Sequence, residues 1–152
     1  MDLNLADKTA LITGSTAGIG FAIASSLAKE GASVIVNGRT QKRVNDAIAR
    51  IQQENSNAKV SGVATDLSTA EGATELTKTF AEVDILINNL GFYQPKAFSD
   101  ISDEDWLKIF EVNVLSGARL SRFYLPKMLQ KNWGRIIFIS SESGVNIPVE
   151  AD

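Results

Sequence analysis

Residues Thr13 to Gly20 read Thr-Gly-Ser-Thr-Ala-Gly-Ile-Gly, a run whose glycines suit it to cradling a phosphate. Gly14 and Gly18 can take turn conformations closed to other residues, and Gly20 lets a following helix pack tightly on the strand before it. An apolar run, Thr9 to Ile12, leads in, and a helical pattern through Ile19, Phe21, Ala22, Ile23 and Leu27 leads out. A strand, a glycine turn and a helix start offer free N–H groups and a partial positive charge to a dinucleotide pyrophosphate. The spacing is G-x-x-x-G-x-G rather than G-x-G-x-x-G. A tight βα turn without a ligand is the alternative.

The second strand ends Asn37-Gly38-Arg39-Thr40. In a dinucleotide fold this tip meets the ribose 2′ position, where a carboxylate favours a 2′-hydroxyl. No carboxylate is present; Arg39 suits a 2′-phosphate instead, with Thr40 and Asn37 able to add hydrogen bonds, so NADP is favoured over NAD. Arg39 as a solvated loop residue is the competing reading. Asp66, after the third strand, could cap a helix or touch adenine, and capping is the simpler of the two. The fourth strand runs into Asn88-Asn89-Leu90-Gly91, at the crevice where such sheets bind ligands. Its asparagines could tie strands or contact a cofactor, Gly91 permits close approach of the backbone, and an Asn-rich turn is the alternative.

Composition removes other chemistries. The 152 residues contain neither histidine nor cysteine, which excludes a Ser-His-Asp triad, a zinc site, thiolate catalysis and disulfides; no metal is expected. Net charge is −3, and the one close positive cluster, Arg39, Lys42 and Arg43, is too small for a nucleic-acid footprint. The polar start from Met1 to Lys8 lacks a signal core, and no run is long enough to span a membrane, so the cytoplasm is the default location.

These residues must be positioned by alternating elements. Strands are expected at 9–12, 32–36, 59–63, 83–87 and 135–140, with helices at 41–54, 69–80, 103–110 and 113–130. Helix 41–54 carries the stripe Val44, Ala47, Ile48 and Ile51. This βαβ alternation predicts one α/β domain with a doubly wound parallel sheet. Pro126 should kink or break the last helix. That helix is apolar on more than one side, which points either to docking on a partner or to deep burial.

TGSTAGIG, Asp66, NNLG from Asn88, Asn113 and the serines after Arg-Ile-Ile-Phe-Ile-Ser, in this order, resemble the short-chain dehydrogenase/reductase family over essentially the whole chain, most of all its bacterial NADP-type members. The resemblance implies a Rossmann fold with strand order 3-2-1-4-5 and a hydride transfer between NADP(H) and a small-molecule carbonyl or alcohol. By position, Gly14, Ser15, Gly18 and Gly20 would cradle the pyrophosphate, and Ile19 would back the nicotinamide. Arg39, with Thr40, would bind the 2′-phosphate, Asp66 would meet adenine, and Asn88 the adenine-side ribose, with Gly91 beside it. Asn113 would hold a water in a proton relay, and Ser141, in preference to Ser140 or Ser143, would hydrogen-bond the substrate carbonyl. Leu90 departs from the usual alanine and would reshape the nicotinamide floor. Family members usually form dimers or tetramers.

The family's proton donor is the tyrosine of a Tyr-x-x-x-Lys motif, shortly past the serine; here that position lies beyond Asp152. Tyr93 and Tyr124 have lysines three residues on, at Lys96 and Lys127, and neither follows the serine strand, so neither is taken as the acid, although Tyr93 could border the substrate pocket. The chain is therefore expected to be the cofactor-binding half of an enzyme, incomplete at the C-terminus, lacking the family's C-terminal strands and inactive alone. A non-enzymatic nucleotide-binding or sensor module, or a remnant that binds nothing, are the alternatives.

Overall fold

A computed structural model describes residues 3–144; Met1, Asp2 and the tail from Val145 lie outside the described residues, so the N-terminal reading is covered only in part. The strands are β1 (Thr9–Ile12), β2 (Ser33–Gly38), β3 (Val60–Ala64), β4 (Ile85–Asn88) and β5 (Arg135–Phe138). They form one parallel sheet in the order β3-β2-β1-β4-β5. The helices are α1 (Gly18–Lys29), α2 (Gln41–Glu54), α3 (Ala70–Thr79), α4 (Asp103–Phe110) and α5 (Ser116–Gln130).

Alternation along the central strands sends side chains to two cores. Ala10, Ile12, Val34, Val36, Ile85 and Ile87 meet Phe21 and Ala24 of α1 and Val44, Ala47 and Ile51 of α2. Leu11, Ile35 and Leu86 meet Leu76 of α3 and Leu120, Tyr124 and Met128 of α5 on the opposite face. The sheet is thus covered on both sides, as parallel sheets are. Its register aligns the carboxyl ends of β1, β2 and β4, with Ile12 opposite both Val36 and Ile87.

Two features differ from expectation. Pro126 does not break α5, which runs through it. Pro126 and Arg122, whose carbonyl loses its intrahelical donor, are both exposed, where an unpaired carbonyl costs least. The irregularity falls earlier, in a π-helical turn at Glu111–Leu115 joining α4 to α5. Nor is α5 buried all round: Leu125 and Leu129 are exposed, as are Trp106, Leu107 and Phe110 on α4. Among the described residues no helix is long and apolar enough to cross a membrane.

Candidate nucleotide-binding site

The β1–α1 turn has the backbone its glycines predict. Gly14 and Gly18 sit at φ 59° and 56°, in the left-handed region that favours glycine. A Cβ on Gly18 would meet nothing within 4 Å, so the conformation, not crowding, demands glycine there. The α1 N-cap residue, Ala17, provides no side-chain cap, and the first turn holds no carboxylate. The leading N–H groups of α1 are therefore open to an anion. Ile19 is exposed at this helix mouth. Gly20 has a packing reason: a Cβ there would overlap the Asn89 amide and lie 2.7 Å from the Gly14 carbonyl oxygen.

Beneath the turn lies a knot of hydrogen bonds. The Ser15 hydroxyl donates to the Ile12 carbonyl at 2.6 Å and accepts from the Asn37 N–H at 2.9 Å. The Ser15 N–H donates to the Asn37 carbonyl at 2.9 Å. Asn37 Oδ1 accepts from the Gly14 N–H at 3.2 Å, and Nδ2 donates to the Val63 and Thr65 carbonyls at 3.3 and 3.2 Å. Both residues are fully buried. The donors of Ser15 and the side chain of Asn37 are thus spent within the fold, where both residues hold the cradle to β2 and β3.

On the other side, Thr13 Oγ1 accepts the N–H groups of Asn89 and Leu90 at 2.9 and 3.0 Å. Asn89 Nδ2 donates to the Thr13 and Gly14 carbonyls at 3.0 and 3.2 Å. Thr13 and Asn89 therefore lock the β4 loop to the cradle. The paired asparagines signalled this tie without saying which one makes it.

Asn88 lies away from the cleft. It is buried, its Nδ2 donates to Ser121 Oγ on α5 at 3.3 Å, its Oδ1 is without a partner, and its carbonyl accepts the Ile139 N–H. Its side chain thus stands between β4 and α5.

A cleft of about 230 Å³ opens beside Gly14, lined also by Arg39, Arg43, Asp66, Leu67 and Leu90. Arg39 is exposed and makes no hydrogen bond or ion pair among the described residues. Thr40 caps α2, its hydroxyl oxygen accepting the Arg43 N–H at 3.4 Å. Asp66 closes a turn, with Oδ1 accepting from the N–H and hydroxyl of Ser68 at 3.0 and 2.7 Å, while also lining the cleft. Leu90 packs its Cδ1 3.5 Å from where a Gly14 Cβ would stand. It shares the cleft with Arg39 and Asp66.

Asn113 sits in the π-helical turn and grips the loop after β4. Its Oδ1 accepts the Phe92 N–H at 2.7 Å, and its Nδ2 donates to the Phe92 carbonyl at 2.8 Å. A Cβ on Gly91 would lie 3.5 Å from that Oδ1. Ser141 is exposed past β5, its hydroxyl oxygen accepting the Ser143 N–H at 3.2 Å. Tyr124 is buried, its hydroxyl donates to the Phe80 carbonyl at 2.6 Å, and burial raises its pKa; it is committed to the core. Among the described residues no cluster of acidic side chains could hold a metal ion.

The comparisons agree with this geometry. A short chain dehydrogenase family model matches residues 8–151. The chain is 52% identical over 145 residues to the uncharacterized oxidoreductase YvaG of Bacillus subtilis, a match that covers 95% of this chain and 55% of that one. It is 39% identical over 142 residues to D-beta-hydroxybutyrate dehydrogenase of Cupriavidus necator, covering 91% and 54%. Among solved structures, L-sorbose reductase from Gluconobacter frateurii, complexed with NADPH and L-sorbose, superposes with a TM-score of 0.88 at 34% identity, covering 95% of this chain and 56% of that one. The chain spans about half the length of these relatives. With its sheet order, its glycine cradle and a family model matched along nearly all of its length, the chain belongs to the short-chain dehydrogenase family of oxidoreductases.

Proposed function

We propose that this chain is the coenzyme-binding portion of an NADP(H)-dependent oxidoreductase acting on a small-molecule carbonyl or alcohol. The observation that carries the coenzyme choice is Arg39, a guanidinium without a hydrogen bond or ion pair among the described residues, on a β2 tip (Asn37 to Thr40) that holds no carboxylate of its own. The residues fit such a group: an open, uncapped α1 N-terminus lies beside two left-handed glycines, and a cleft leads from there to Arg39. When bound, the nicotinamide exchanges a hydride with the substrate carbon.

The chain's own residues bind and orient. The α1 N-terminus, from Gly18 on, holds the diphosphate through backbone N–H groups, the Gly14 turn shapes the cradle around it, and Ile19 excludes water beside them. Ser141 donates a hydrogen bond to the substrate oxygen. Asn113 spends one N–H and one lone pair on Phe92, which leaves the other pair of sites for a water. Asp66 and Thr40 border the adenosine side. Turnover by this segment alone is not expected, because neither of its tyrosines can serve as the acid. In the longer protein a dimer or tetramer in the cytoplasm fits the reading, with the exposed apolar faces of α4 and α5 as contacts.

Calorimetric titration of the chain with NADPH and NADH tests the coenzyme reading. NADPH should bind at least about tenfold more tightly, and Arg39→Glu should erase that preference. Equal affinity for both coenzymes in the unaltered chain would overturn it.

A further inference from the structure

Arg39, Lys42 and Arg43 cluster at the start of α2, and they are not equivalent. Lys42 is engaged on the outer face, its Nζ 2.7 Å from Asp46 Oδ2. The Arg39 and Arg43 guanidinium groups have no hydrogen bond or ion pair among the described residues. Both line the cleft beside Gly14; Lys42 does not. Arg43 also borders an adjoining hollow of about 510 Å³ over α2, shared with Thr16, Arg50 and Asp46, whose carboxylate is paired with Lys42. It therefore stands where two concavities meet.

The local charge is unbalanced. The first turn of α2 contains no carboxylate, whereas that of α4 carries Asp103, Glu104 and Asp105. Two free guanidiniums thus add to the positive end of the α2 dipole. Asp66 is the one carboxylate lining this cleft, and one of its oxygens is occupied by Ser68. A compact dianion placed in the cleft would relieve the repulsion and could accept planar N–H pairs from two directions.

Building on the NADP(H) reading, we infer that Arg43 is a second ligand of the 2′-phosphate and sets coenzyme preference jointly with Arg39, while Lys42 takes no part. The guanidinium one helical turn into α2 closes on the phosphate from the side facing the α2 hollow. Arg39 closes on it from the β2 tip.

The test is calorimetric titration of the chain with 2′,5′-ADP and with 5′-AMP. Arg43→Gln should weaken 2′,5′-ADP binding about tenfold and leave 5′-AMP unchanged, as should Arg39→Gln. Lys42→Gln removes the same formal charge and should change either affinity less than about twofold. Arg43→Lys should fall between the unaltered chain and Arg43→Gln, which separates a lost contact from a disturbed helix. If Arg39→Gln abolishes the preference while Arg43→Gln behaves like the unaltered chain, Arg43 is not a ligand and the NADP(H) reading survives. If Lys42→Gln costs as much as Arg43→Gln, a diffuse field is responsible and the inference fails. If the unaltered chain prefers neither nucleotide, or binds neither, the coenzyme reading falls and Arg43 falls with it.

Discussion

Asn113 holds Phe92 by both of its backbone polar groups, accepting its N–H and donating to its carbonyl. Lys108 adds a cation–π contact, 4.3 Å above the Phe92 ring. The π-helical turn and the loop after β4 are thereby one mechanical unit.

Asn113→Ala should release that loop. Loss of two exposed hydrogen bonds should lower stability by about 1–2 kcal/mol, and the Phe92 amide should lose its protection from hydrogen exchange. An unchanged exchange rate at Phe92 would show that the loop is held by something else.

Gly20→Ala should destabilise by about 1–3 kcal/mol, since its methyl would strike the Asn89 amide and the Gly14 carbonyl. In an Asn89→Ala background, which itself loses two hydrogen bonds, the same substitution should cost less, because one of the two obstacles is removed. Strict additivity in the double-mutant cycle, read by urea unfolding, would contradict the contact.

Leu90→Ala should remove an apolar wall of the cleft beside Gly14. Because Leu90 is half-buried, a stability cost of about 1–2 kcal/mol is expected, with severalfold weaker nucleotide binding. Unaltered affinity in a folded variant would place the nucleotide away from this wall.

Acid should loosen the start of α4. Asp105 is the reciprocal partner in the Ser102 capping box, and its Oδ2 lies 2.6 Å from Lys96 Nζ. The Lys96 ammonium, then the N–H and hydroxyl of Ser102, hold its carboxyl below the ordinary 3.8, at about 2. A carboxylate depressed in the folded state stabilises fully above its ordinary pKa and loses that contribution as pH falls toward the folded value. The melting temperature should therefore drop between about pH 4 and pH 2, and Asp105→Asn should flatten part of that slope. Parallel curves for the two proteins would disprove the assignment.

Purified at high concentration, the chain should self-associate through β5. Among the described residues it is an edge of the sheet, and Ile137, Phe138 and Ile139 are 46%, 54% and 38% exposed. Ile137→Lys should shift sedimentation toward the monomer; a monomeric unaltered chain would refute this.

Nearly every element was legible because apolar runs alternate with 3.6-residue stripes, and a parallel sheet follows from that alternation, whereas the strand order came from the family resemblance alone. The left-handed turns at Gly14 and Gly18 were legible for the same local reason. What escaped was the division of labour among polar residues. Ser15, Asn37 and Asn88 have types that could serve a ligand, and only their depth and partners show them turned inward. Asn89 and Thr13 gave no signal separable from their neighbours. The π-helical turn leaves no mark in the periodicity, and of the kink or break that Pro126 signalled the break does not occur, because its missing N–H falls on the exposed side of α5.

The inward knot of Ser15 and Asn37 bears on how any mutational survey of this site should be interpreted. Replacing either residue should displace the glycine turn from its neighbouring strands, so on the proposed reading nucleotide affinity would fall although both side chains lie buried beneath the turn. A map of inactivating substitutions would thus outline the foundations of the pocket as sharply as its walls, and only crystallography or nuclear Overhauser contacts with the nucleotide could tell one from the other.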